Sequence, residues 1–247
     1  MFPLRDSVPS QSVPVVTRAL IFINALVFFF ELSLPEQSLE QVFYLFGLVS
    51  ARFTHPSWAE ATGFAPGGYW AFLTHQFLHG GWLHIISNMW ALWIFGDNVE
   101  DRMGRWRFLS FYLLCGFVAG LTQILTNPDS TVPSVGASGA IAGVLGAYLL
   151  LFPMARVLVL LPILFFPFFF EVPVMLYLGV WFFSQLFSGT LALASPEQVG
   201  GIAWWAHIGG FVSGMALCGL FVRRQRAAHH LEQDDDGAEW AWQPRRY

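Results

Sequence analysis

The stretch Pro133-Ser-Val-Gly-Ala-Ser-Gly-Ala-Ile-Ala-Gly-Val-Leu-Gly-Ala-Tyr148 holds no charged residue. Pro133 and Gly136 read as a turn, and Ser138 as the first residue of an apolar helix that runs to Phe152 and stops at Pro153. Gly136, Gly139, Gly143 and Gly146 stripe it. In lipid two apolar helices gain nothing hydrophobic by touching, so they associate through small residues that let their backbones approach. The stretch therefore reads as a helix packed among others inside a bilayer, with one hydroxyl at its mouth.

Composition agrees. Of 247 residues 55% are hydrophobic and only 11% charged, with a mean hydropathy of +0.55. A soluble domain carries about 25% charge. The chain has 26 Phe and 11 Trp, and its twelve basic residues are all arginine. These numbers imply an all-α, polytopic membrane protein. The net charge of -4 comes partly from an acidic tail, Glu232 to Glu239, and without a basic patch nucleic acid is excluded as a partner. Cys115 and Cys218 both fall in apolar segments and read as buried small side chains rather than a disulfide.

Six spans follow from the apolar runs. Residues 1–15, with Pro3, Pro9 and Pro14, read as a flexible cytoplasmic tail. Span one covers Ala19 to Phe30; no small-residue cleavage site follows it, so it is expected to be retained. Residues 35–80 form a long connector with amphipathic pieces such as Leu39 to Phe46, expected to lie on the membrane surface. Span two runs from Trp82 to Phe95, closed by a polar turn to Arg107. Span three is Phe108 to Leu125 and span four Ser138 to Phe152. Residues 157–170 read as an interfacial or re-entrant piece, followed by span five from Val172 to Leu193 and span six from Ala203 to Val222. The membrane domain is then 16–222 and the C-terminal tail 223–247. This count puts every arginine except Arg52 on one side, with both termini cytoplasmic.

Spans two, four and six all start on the outer side. His84, Ser138 and His207 each lie within a turn or two of such a start, so they share depth and side. Asn88 follows His84 by one turn and shares its face. Polar groups at that depth are costly unless paired, and are functional candidates. A serine beside a histidine is the minimal arrangement for nucleophilic catalysis. The Ser138 N–H at a helix N-terminus, with His84 and Asn88, offers donors to an oxyanion. No carboxylate is placed to orient His207, so a dyad is expected. Gly210 and Gly214 form a small-residue face on span six that would bring His207 to Ser138.

Gly136-Ala-Ser138-Gly139, His84-x-x-x-Asn88 and Ala206-His207-x-x-Gly210-x-x-x-Gly214 resemble the signatures of rhomboid intramembrane serine proteases. Glu100-x-x-x-Gly104 resembles that family too. The likeness covers residues 15 to 222 in the basic six-helix bacterial form. It implies Ser138 as nucleophile, His207 as base, and His84, Asn88 and the Ser138 amide as the oxyanion site. It also implies a membrane-lying first loop over 35–80, a cap over 194–205 with Trp204 and Trp205, and transmembrane proteins as substrates. One departure stands out: many members carry Trp-Arg in the first loop, whereas Trp70 is followed here by Ala71.

Blander readings compete. Ser138 alone would be a packing residue or helix cap. His75, His79 and His84 lack the acidic third ligand that a metal-binding helix wants, so no metal or other cofactor is expected. A non-catalytic rhomboid-like protein that binds or escorts membrane clients is the alternative function, but such a protein would be expected to lose Ser138 or His207. A transporter would show an inverted repeat. The sequence leaves the client and the oligomeric state open. A bacterial inner membrane, with the site opening outward, is the expected location.

Overall fold

The computed structural model describes residues 2–63, 68–163, 166–194 and 203–223. Residues 195–202 of the expected cap and 224–247 of the expected C-terminal tail lie outside the described residues.

The long helices follow the apolar runs. They are α1 (Val15–Ser33), α6 (Trp82–Met103), α7 (Arg105–Thr126), α8 (Ser138–Leu151), α9 (Val174–Ala194) and α10 (Trp204–Phe221). Four of them, α1, α7, α9 and α10, are long and apolar enough to cross a membrane. Between α1 and α6 lie α2 (Glu36–Phe46), α3 (Ala51–Thr54), α4 (Pro56–Ala61), α5 (Ala71–Thr74) and a 3₁₀ turn at His75–Phe77.

α8 sits at the centre, against α6, α7 and α10. Ten of its fourteen residues are buried. Its glycines explain why. A Cβ on Gly139 would strike Ala119 of α7, one on Gly143 would strike Cys115, and one on Gly146 would strike the Phe211 carbonyl of α10. From the other side, Gly210 and Gly214 press against the carbonyls of Gly139 and Gly143. Backbone touches backbone along this seam, as small-residue packing demands.

α6 extends two turns beyond the expected span end at Phe95. Of the polar residues that read as a turn, Asn98 and Glu100 are buried and partnered. Glu100 is 2% exposed and caps α1, accepting hydrogen bonds from the backbone N–H of Val16 (3.0 Å) and Thr17 (2.8 Å) and from the Thr17 hydroxyl (2.9 Å). These are N–H groups that a helix start leaves without internal partners. The chain then reverses at Gly104, whose φ of +78° suits glycine.

The fold is not wholly helical, and this corrects the all-α expectation. Strands β1 (Phe2–Asp6), β2 (Arg156–Ile163) and β3 (Phe166–Pro173) form an antiparallel sheet in the order β1-β2-β3. The segment expected to be interfacial or re-entrant is thus a hairpin. Its Val157 and Val159 alternate inward, at the period of a strand, and are fully buried. Pro167 and Pro173 are tolerated because β3 is an edge strand.

The loose tail expected at 1–15 is likewise corrected for residues 2–6. Phe2 pairs with Leu160 and Asp6 with Val157. Trp90 donates its indole N–H to the Pro3 carbonyl (2.6 Å), Asn98 donates to the Asp6 carboxylate (2.8 Å), and the Tyr148 hydroxyl donates to the same carboxylate. The N-terminus is thereby tied to α6 and α8.

The described part of the connector is anchored by Arg52. This side chain is 1% exposed and donates to the carbonyls of Tyr44 (3.0 Å) and Leu45 (3.3 Å). Trp70 donates to the same Leu45 carbonyl (3.0 Å), and the guanidinium lies 5.7 Å from the Trp70 ring centroid. An arginine from α3 therefore meets Trp70 where the resemblance led one to look for an arginine at position 71.

Candidate active site

Ser138 opens α8 because the preceding loop is pinned from both sides. Leu48 and Ser134 exchange two backbone hydrogen bonds of 2.9 Å, and the Gly136 N–H donates to the His75 carbonyl (2.8 Å). Gly136 then turns the chain with φ +131°. Only a residue without Cβ fits there: a Cβ would lie 2.6 Å from His84 Nε2 and 3.6 Å from Ser138 Oγ. The same construction shows that His84 and Ser138 border one small space.

α8 is short. Fourteen residues rise about 21 Å, less than the ~30 Å hydrocarbon core of a bilayer. Its neighbours α6, α7 and α10 are all longer.

His207, in the first turn of α10, reaches Ser138 directly: Nε2 lies 2.8 Å from Oγ. Its other ring nitrogen, Nδ1, lies 2.7 Å from Gln185 Oε1 on α9. Trp181 and Trp204 flank the imidazole, with ring centroids 6.1 and 6.3 Å away.

His84, in the first turn of α6, accepts a hydrogen bond at Nδ1 from the Gly80 N–H (3.4 Å). A neutral imidazole that accepts at one nitrogen carries its proton on the other. His84 Nε2–H is therefore a donor, turned to the space shared with Ser138.

Asn88 is buried one turn further on. Its amide nitrogen donates to His79 Nε2 (3.1 Å), and the His79 backbone N–H donates in turn to the buried Glu31 carboxylate (3.1 and 3.3 Å). No bond between Asn88 and Ser138 appears among the described residues.

The structure thus brings Ser138 and His207 into hydrogen-bond contact and sets His84 beside them, with Asn88 held a turn away. Gly136, Gly139, Gly210 and Gly214 are close-approach positions. Gln185 and Glu31 were missed. The available signal for Gln185 was the one side-chain amide in a span without charge, and for Glu31 its charge at the end of span one.

The fold and the site define a membrane protein whose paired serine and histidine stand at the mouths of two closely packed helices. The chain belongs to the rhomboid family: the family's rhomboid domain matches residues 66–224. Over 85 residues, 34% of this chain and 16% of the relative, it is 44% identical to rhomboid protease GluP of Bacillus subtilis. Over 87 residues, 35% of this chain and 43% of the relative, it is 37% identical to the putative rhomboid protease YdcA of the same organism. Over 152 residues, 60% of this chain and 40% of the relative, it is 31% identical to rhomboid protein 1, mitochondrial, of Saccharomyces cerevisiae. The matched regions cover less than half of these relatives.

Proposed function

We propose that the protein is an intramembrane serine endopeptidase that cuts transmembrane segments of other proteins near their outer ends. The observation that carries this reading is the 2.8 Å contact between His207 Nε2 and Ser138 Oγ at the start of the short central helix α8.

The chemistry follows from the contact. His207 Nε2 takes the Ser138 proton as Oγ attacks the scissile carbonyl carbon. The carbonyl oxygen becomes an oxyanion and accepts hydrogen bonds from the Ser138 N–H at the α8 N-terminus, from His84 Nε2–H and from the Asn88 amide. His207 then gives its proton to the leaving nitrogen as the C–N bond breaks, leaving an acyl ester on Ser138. A water attacks the ester, His207 removes its proton, and Oγ leaves as the hydroxyl.

Supporting the setting are the arginine distribution and the five helices of 18 or more residues that accompany α8. On this reading all six span a bilayer, both termini are cytoplasmic, residues 35–80 lie at the outer surface and water reaches Ser138 from that side. A bacterial inner membrane is the proposed location.

The test is incubation of the detergent-purified protein with a single-span protein substrate, alongside labelling with a fluorophosphonate. Cleavage and labelling by the parent, both lost in Ser138→Ala and cleavage lost in His207→Ala, support the reading. Cleavage that survives Ser138→Ala overturns it.

A further inference from the structure

We infer that Gln185 is a positioning residue that fixes the tautomer of His207, a role that rests on the protease reading above.

The direction of the Gln185 amide is set by its own helix. Its Nε2 lies 3.3 Å from the Trp181 carbonyl oxygen and 3.0 Å from Ser184 Oγ. A carbonyl oxygen only accepts, so the group facing it must be the NH₂. Ser184 donates its own proton to the same Trp181 carbonyl (2.6 Å), which leaves its lone pairs open to Gln185. The amide nitrogen is thus fully directed at α9, and Oε1 is left to face His207 Nδ1 at 2.7 Å.

An amide oxygen has no proton to give. The proton in that bond therefore belongs to Nδ1, and the neutral ring keeps its lone pair on Nε2, the atom that faces Ser138 Oγ. Rotating this one amide by half a turn would reverse everything. Its NH₂ would face Nδ1, the ring proton would move to Nε2, and the base would be lost. Gln185 is 6% exposed, so little water reaches this position to supply the bond instead.

The partner is neutral. The groups facing His207 are Ser138 from α8, Gln185 and Trp181 from α9, Trp204 from α10 and His84 across the shared space. The ion pairs found among the described residues, His55–Asp129 and Arg156–Glu171, lie elsewhere. A neutral acceptor orients the imidazole without the desolvation cost that a carboxylate would bring to this depth.

The experiment compares the parent with Gln185→Met and Gln185→Glu. Methionine keeps the length and the apolar stem but offers no oxygen. It is expected to lower kcat about 10–100-fold with KM unchanged, and to slow fluorophosphonate labelling in proportion. Glutamate restores an acceptor for Nδ1–H. It is expected to recover most of the rate, and to move the acid limb of the kcat/KM profile to higher pH, because a carboxylate stabilises the imidazolium. Parental kcat in Gln185→Met overturns the inference and leaves the protease reading standing. If Gln185→Met does not fold, an unmoved acid limb in Gln185→Glu overturns it. Equal losses in both variants, with no change in profile, also overturn it, since that is what a packing residue would give. A parent that neither cleaves nor labels is a failure of the protease reading itself.

Discussion

His207 Nε2 stands 2.8 Å from Ser138 Oγ although 69 residues separate them, and the contact exists because glycines let α10 lie directly on α8. The distance is a product of the seam. Anything that parts the two backbones parts the two side chains.

Removing either member should abolish turnover without unfolding the protein. Both side chains are only half-buried; one hydrogen bond joins them, and His207 makes one more, to Gln185. Ser138→Ala and His207→Ala are each expected to lower kcat by at least about 10³-fold, and the double variant by little more, because the two act as one unit. Parent and variants should melt within a few degrees of one another. An additive loss in the double variant would contradict the proposed dyad.

The seam itself can be tested at two glycines. A Cβ at Gly210 would run into the Gly139 carbonyl, whereas a Cβ at Gly219, on the same helix, meets nothing within 4 Å. Backbone cannot swing aside as a flexible side chain can, so Gly210→Val is expected to destabilise by about 1–3 kcal/mol and to lose activity. Gly219→Ala should be neutral or slightly stabilising, since alanine is the better helix former. Thermal unfolding in detergent separates the two, and equal melting temperatures would remove the seam argument.

These positions mark what the sequence made legible. The apolar helices, their glycine faces, and Ser138, His84 and His207 at helix mouths all follow from local pattern and a shared side of the membrane. The sheet does not. β1 pairs with a strand some 150 residues away, and a uniformly apolar run such as Val157 to Leu161 gives the same signal in a strand as in a membrane-lying segment. Glu100 and Asn98 looked like parts of a turn because their partners, at the start of α1 and on Asp6, are distant in sequence. Gln185 depends on which side of α9 faces α10, an angle that an apolar span does not encode.

Arg52 is expected to hold the connector closed. Truncating it removes two hydrogen bonds to the part-buried Tyr44 and Leu45 carbonyls and the contact with the Trp70 ring. Arg52→Ala should therefore open residues 35–80 to limited proteolysis before the core helices are cut. Activity should fall as well, because Leu48 in this unit bonds to Ser134 just before the nucleophile. Parental resistance to protease would show that the arginine is dispensable as an anchor.

Stability should depend on pH through His79. Burial, aided by His84, pushes this imidazole down to about 4, from an ordinary value of 6.5. The folded protein therefore keeps His79 neutral, with Nε2 accepting from Asn88, while the unfolded chain takes up a proton as pH falls below 6.5. Its contribution is complete above that value, declines as pH drops, and stops declining near pH 4, where the folded form is protonated too. The slope in that window approaches about 1.4 kcal/mol per pH unit for one such group. His75, also held at about 4 by burial, adds a second contribution of the same sign. Replacing His79 by Gln retains an acceptor for Asn88 but cannot titrate, so the melting temperature of His79→Gln should fall less steeply between pH 6.5 and 4 than that of the parent. Parallel curves for the two proteins would mean that His79 is not the group being protonated.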